Sequence, residues 1–173
     1  MTSTIEMTLK VYTGLPGSGK SSALIAEMRS YKDAGHSVTL LLSSEHDALT
    51  RRPNVKSGGL MGCRDKNKSF PINAVIDSAE AEVILASSQP GEMIVFDEAQ
   101  YFQPSLANSW LSAAMKGVEI RVGTPSKAQL GLLSGEPHEH INLSVQCSRC
   151  EKEAAKVIYQ SNLTFPDYYC STC

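Results

Sequence analysis

The chain has 173 residues, of which 42% are hydrophobic and 20% are charged, the composition of a globular protein rather than a disordered or fibrous one. Its 16 basic and 18 acidic residues give a net charge of -2. No segment contains the cluster of basic residues that binding to a nucleic-acid polymer requires. A chain of this length supports one core with a small appendage.

In chain order, apolar runs alternate with helical patterns. The predicted strands span 7–13, 37–43, 72–76, 92–97 and 118–123, and the predicted helices span 18–35 and 77–89, with a third after Pro104. In the third helix, Leu106, Trp110 and Ala114 recur at helical spacing, which makes Trp110 a core residue. Residues 44–70 are polar and contain glycines, which predicts a long loop. This alternation favours an α/β fold with a parallel sheet and flanking helices.

A phosphate-binding motif follows the first predicted strand. The segment GLPGSGKS, residues 14–21, matches G-x-x-x-x-G-K-[ST] at every fixed position. Its glycines let successive backbone N–H groups point at one triphosphate, Lys20 would reach the β- and γ-phosphates, and Ser21 would bind magnesium. The alternative is a glycine-rich turn with a solvated lysine. The candidate ATP-binding residues are Gly14, Leu15, Pro16, Gly17, Ser18, Gly19, Lys20, Ser21, Ser22, Asp97 and Gln100.

Two adjacent acids end the predicted strand EMIVFD. In P-loop proteins a second strand ends in an acid that helps to hold magnesium, and Asp97 occupies that place. Glu98 is then available to accept a proton from the oxygen that attacks the γ-phosphate. The alternative is that Glu98 caps a helix or faces water.

Four of the five cysteines form two Cys-x-x-Cys pairs near the C-terminus. Cys147 and Cys150 are separated by nineteen residues from Cys170 and Cys173, the spacing of a four-cysteine zinc ribbon. Four thiolates leave zinc no open position, so the predicted site is structural. His138 and His140 could be rival ligands, although a solvated linker is the simpler interpretation, and Cys63 is interpreted as a free thiol.

The predicted architecture is therefore a P-loop NTPase-like α/β domain over residues 1–140, followed by a small zinc ribbon over 141–173. No apolar stretch approaches the length of a membrane span, and the first residues lack a basic segment followed by an apolar one. We expect a cytoplasmic protein with no membrane or nucleic-acid partner.

Together, the P-loop, the sequence FDEAQYF and the paired Cys-x-x-Cys resemble the cellular-type (type II) thymidine kinases, in order from Gly14 to Cys173. The resemblance implies that Glu98 takes the proton of the nucleoside 5′-hydroxyl, and that residues 151–169 fold over the nucleoside as a lasso. It implies ATP, magnesium and structural zinc as cofactors, thymidine as the substrate, a homotetramer, and a phosphate contact from Arg51 or Arg52 in the loop.

Three departures from the family pattern lie on the nucleoside side. The family's Asp-x-Arg in the loop would need an acid at Leu49 or Thr50, and its Gly-Leu-Asp after the last core strand is Gly-Thr-Pro at residues 123–125. The lasso is short, and Pro166 replaces a substrate-facing tyrosine. A kinase-like ATPase or nucleotide-binding regulatory module is therefore the alternative to a nucleoside kinase. A helicase would need a second motor lobe, for which the chain has no residues.

Overall fold

The computed structural model describes residues 8–46, 56–62, 69–125, 128–146, 149–150, 152–158 and 167–169. The strands there are β1 (Leu9–Thr13), β2 (Val38–Ser43), β3 (Leu60–Gly62), β4 (Ser69–Pro71), β5 (Ala74–Ile76), β6 (Met93–Phe96), β7 (Glu119–Thr124), β8 (Glu139–Asn142), β9 (Lys156–Ile158) and β10 (Asp167–Tyr169). The helices are α1 (Lys20–Asp33), α2 (Ser78–Ser87), α3 (Leu106–Met115) and α4 (Ala128–Leu132), and a 3-10 turn spans Ala99–Tyr101.

A six-stranded sheet is the centre of this fold. Its strand order is β5-β2-β6-β7-β1-β8, and every neighbouring pair is parallel. All four residues of β6 are buried because a parallel sheet is covered on both faces. The predicted α/β fold with a parallel sheet is confirmed.

Helices cover both faces of the sheet. On one face, α1 packs Leu24, Ile25 and Met28 against apolar residues of β2 and β6. On the other face, residues of α2 and α3 pack around Trp110, which is fully buried as predicted. The first of these clusters holds α1 against the sheet, and with it the end of the loop that precedes this helix.

Polar contacts also hold α1 against the sheet. Arg121 of β7 is buried, and its guanidinium contacts Glu27 of α1 and lies 2.8 Å from Glu119. The Tyr12 hydroxyl of β1 donates to the same Glu27. Burial and the hydrogen bond to Glu27 raise the pKa of Tyr12, so this tyrosine stays neutral and acts as a donor.

Local sequence explains the boundaries of α2. Asp77 accepts from the backbone N–H of Glu80 at 2.8 Å, and the Glu80 carboxylate accepts from the N–H of Asp77 at 3.0 Å. This capping box satisfies two backbone donors that the helix leaves unpaired. The prediction that a helix begins at Asp77 is confirmed.

The structure adds elements that the sequence patterns did not predict. β3 and β4 form an antiparallel pair that begins inside the predicted loop 44–70 and ends at Pro71. The segment EPHEH, interpreted as a solvated linker, overlaps β8, which pairs with β1 and crosses the predicted domain boundary at residue 140. His140 lies in β8 with Nε2 at 2.6 Å from Thr13 Oγ1. A polar edge strand such as EHIN has no alternating pattern to reveal it, because both faces are largely exposed.

The C-terminal part is described only in short ranges. There, β9 and β10 form an antiparallel pair, and Gln146 bridges to Glu153. In the described ranges, every helix is too short or too polar to cross a membrane.

Candidate nucleotide and phosphoryl-transfer site

The phosphate-binding motif lies between the end of β1 and the start of α1. Gly14 has φ of 144°, and a Cβ there would lie 2.2 Å from the carbonyl oxygen of Leu143. Gly19 has a left-handed backbone and caps α1 at its N-terminus. Both positions therefore need glycine, for conformation and, at Gly14, also for space. The loop directs the N-terminal, electropositive end of α1 toward the carboxyl edge of the sheet.

Lys20 is folded against the same loop. It is 5% exposed, and its Nζ donates to the carbonyl oxygens of Gly14 at 2.8 Å and Leu15 at 3.0 Å. Burial lowers the pKa of Lys20, opposed by the charges of Glu98 and Asp97. A bound phosphate could replace these two carbonyl oxygens as the acceptors of Lys20. Charged phosphate oxygens form stronger hydrogen bonds with an ammonium group than neutral carbonyl oxygens do.

Asp97 directly follows β6, and its carboxylate contacts Ser21 in the first turn of α1. Although 76 positions separate them in sequence, Ser21 Oγ donates to Asp97 Oδ2 at 2.9 Å. Parallel strands bring their carboxyl ends to one edge of the sheet, which is where α/β proteins place ligands.

The second oxygen of Asp97 has no hydrogen-bond partner among the described residues, although Asp97 is only 4% exposed. Burial, and next the charge of Glu98, raise the pKa of Asp97 to about 6. Burying a carboxylate oxygen without a partner costs free energy, and a cation bound next to it would offset that cost. Together with the Ser21 hydroxyl, this carboxylate provides the oxygen donors that magnesium prefers.

Glu98 has an uncommon backbone. Its φ of 51° and ψ of 45° place it in the left-handed region, and it is the one non-glycine residue of the described chain with positive φ. Such a conformation costs energy and persists where surrounding contacts enforce it. Gln100 donates from Nε2 to Glu98 Oε2 at 2.6 Å, and its predicted contact with the nucleotide stays a prediction. This hydrogen bond orients the Glu98 carboxylate.

Neighbouring elements hold the 3-10 turn that carries these side chains. Ser43 Oγ, at the end of β2, donates to the carbonyl oxygen of Tyr101 at 3.0 Å. Gln129 of α4 is 1% exposed, and its Nε2 donates to the carbonyl oxygen of Ala99 at 2.9 Å. Sequence patterns did not indicate either residue, because a serine or glutamine acquires such a role only through its tertiary partner.

Several predicted site residues lie outside the described residues. They are Arg51, Arg52, Cys147, Cys170 and Cys173. Cys150 is described and half-buried. Among the described residues, no group of three or more histidine, cysteine or acidic side chains is arranged to hold a metal ion. The phosphate contact of the arginines and the zinc ribbon stay predictions.

The solved structures that this chain resembles include two crystal forms of the large terminase from the thermophilic bacteriophage D6E. Crystal form 2 superposes with a TM-score of 0.46 at 12% identity, covering 81% of this chain and 41% of the terminase. Crystal form 3, in complex with ADP, gives 0.42 at 12% identity and covers 80% and 40%. This chain therefore spans about two fifths of the terminase chains. No protein with a curated description matches the chain.

The family model for thymidine kinase matches residues 7–123. This range covers more than half of the chain and contains the phosphate-binding loop, the Ser21–Asp97 hydrogen bond and the turn at Glu98. Because the match includes the elements that build the site, the chain belongs to the thymidine kinase family.

Proposed function

We propose that the protein is an ATP-dependent deoxynucleoside kinase that transfers the γ-phosphate of ATP to the 5′-hydroxyl of thymidine. The observation that carries this proposal is the meeting of Lys20, the Ser21–Asp97 hydrogen bond and Glu98 at one edge of the sheet, in a member of the thymidine kinase family.

Each group has a distinct part in this proposal. The backbone N–H groups of residues 14–22 and the Lys20 ammonium bind the phosphates of ATP. Ser21 and Asp97 would hold magnesium, which would supply positive charge beside the phosphates. Gln100 orients Glu98 through the hydrogen bond at 2.6 Å.

In the proposed reaction, the γ-phosphoryl group moves from ATP to the nucleoside. The 5′-hydroxyl oxygen forms a bond to the γ-phosphorus, and the bond from that phosphorus to the β,γ-bridging oxygen breaks, which releases ADP. Glu98 accepts the hydroxyl proton. A buried, preorganised site favours this step because positioning and charge stabilisation supply most of the catalysis in phosphoryl transfer.

The remaining parts of the proposal rest on sequence. Arg51 or Arg52 would contact the phosphates, and residues 141–173 would form a zinc ribbon on Cys147, Cys150, Cys170 and Cys173, whose lasso covers the nucleoside. By resemblance to its family, the protein would assemble as a homotetramer.

A second function is an ATPase, or a nucleotide-binding regulatory module, without nucleoside kinase activity. It is favoured by the departures on the nucleoside side, including Thr124 and Pro125 where the family has Leu-Asp. In that case Glu98 would activate water rather than an alcohol.

Incubation with magnesium-ATP and a panel of nucleosides separates the two functions. The kinase proposal expects thymidine monophosphate to form and ADP release to depend on added nucleoside. Release of ADP at the same rate without nucleoside, and no monophosphate, would contradict it.

A further inference from the structure

Gly123 lies on β7, the strand between the phosphate-loop strand β1 and the acid-bearing strand β6. Its Cα pairs in register with Tyr12 of β1. It is not among the glycines with positive φ, and it has the ordinary backbone of a strand. Any residue could adopt that backbone, so its conformation does not explain the glycine.

The space beside Gly123 does explain it. A Cβ at this position would lie 2.9 Å from Asp97 Oδ1 and 2.8 Å from Leu24 Cδ1. Both distances are well inside van der Waals contact for a carbon atom. The Asp97 carboxylate and the Leu24 side chain thus occupy the volume that a side chain of residue 123 would fill.

The carboxylate has little room to move aside. Asp97 is buried, and its Oδ2 accepts from Ser21 Oγ at 2.9 Å. Leu24, the other neighbour of this space, is fully buried in the core between α1 and the sheet. A methyl group at residue 123 would rotate the carboxylate away from Ser21, push Leu24 into its neighbours, or both.

We propose that Gly123 is a positioning residue, whose missing side chain leaves the space in which the Asp97 carboxylate lies and thereby holds that carboxylate at hydrogen-bonding distance from Ser21. The effect on magnesium rests on the proposed function, whereas the steric contact with Asp97 does not.

The first test measures ATP binding as magnesium is varied, in the wild type and in Gly123→Ala. We expect the half-saturating magnesium concentration to rise about 10- to 100-fold, as when a residue that orients a metal ligand is lost. Gly62→Ala is the matched control, because Gly62 is also a strand glycine without positive φ, and a Cβ there would meet no atom of the described residues within 4 Å. The control should keep the wild-type requirement.

The second test needs no ligand. We expect Gly123→Ala to lower the midpoint of thermal unfolding by several degrees, and the loss to be smaller when the same change is made in an Asp97→Ala background. If Gly123→Ala does not fold, Leu24→Ala with Gly123→Ala replaces it, compared with Leu24→Ala alone. This pair leaves the carboxylate as the group that the added methyl meets.

An equal loss of midpoint in the wild-type and Asp97→Ala backgrounds would overturn the proposal, as would an unchanged magnesium requirement in a variant that binds ATP. If the wild type binds no ATP, the proposed function fails, and the unfolding comparison alone decides the role of Gly123.

Discussion

At the residue scale, a substitution of Glu98 should distinguish nucleotide binding from phosphoryl transfer. Glu98→Gln keeps the shape of the side chain but cannot accept a proton. We expect nucleotide to bind as in the wild type while phosphoryl transfer falls by about 10²- to 10⁴-fold, the usual contribution of a general base. Initial rates of monophosphate formation and equilibrium ATP binding test this. Glu82→Gln, on the exposed surface of α2, is the control. Wild-type turnover in Glu98→Gln would leave the second acid without this role.

The raised pKa of Asp97 predicts that the stability of the folded protein depends on pH. Its pKa is raised from 3.8 to about 6 in the folded protein, chiefly by burial. The folded chain therefore holds a proton that the unfolded chain releases in this interval. The stability that this retained proton contributes to the folded protein is fully present below pH 3.8 and is lost as pH rises through about 6.

This loss can be measured by thermal unfolding of the nucleotide-free protein. Asp97→Asn stays neutral and still accepts from Ser21, so its stability should fall less steeply over the same interval, and it should unfold at a higher temperature than the wild type near neutral pH. Its magnesium-dependent turnover should be lost. An identical pH profile in both proteins would contradict the burial of an ionised carboxylate.

At the scale of elements, α4 supports the turn that carries Glu98. Gln129→Leu removes the hydrogen bond to Ala99 and leaves that carbonyl oxygen without its side-chain donor. We expect the free energy of unfolding to fall by about 1–3 kcal/mol. Turnover should fall by about tenfold or more, because small displacements of reacting groups are costly, while ATP binding is kept.

Unfolding curves and steady-state rates check this prediction, with Gln89→Leu, an exposed glutamine beyond α2, as the matched control. A loss of stability without any change in turnover would show that α4 supports the fold but not the position of Glu98.

At the scale of the whole molecule, the paired cysteines predict about one zinc ion per chain by metal analysis. Cys170→Ser should lose the metal and loosen the segment from Cys147 onward while ATP binding is kept, since structural zinc sites contribute to folding directly. Cys63→Ser should keep its zinc. Limited proteolysis locates the loosened segment. A metal-free protein with an ordered C-terminal segment would contradict the ribbon.

Local sequence determined the parts of this protein that depend on neighbours in the chain. The apolar patterns on either side of residues 14–21 indicated a strand and a helix, and the motif indicated the turn between them, because its glycines suit backbone angles that other residues avoid. The sequence predicts a helix from Asp77, and the capping box of Asp77 and Glu80 in the structure accounts for that start, because both partners lie within one turn. Buried runs such as MIVF indicated strands covered on both faces.

Only the tertiary structure decided which distant residues meet. The sheet order places β7 between β1 and β6, which brings Ser21 to Asp97 and leaves Gly123 beside the same carboxylate. The pairing of the polar strand β8 with β1 and the hydrogen bond from Gln129 to Ala99 also arise from packing. Periodicity along a chain reports which face of an element is buried, whereas partners and distances depend on how all the elements pack together.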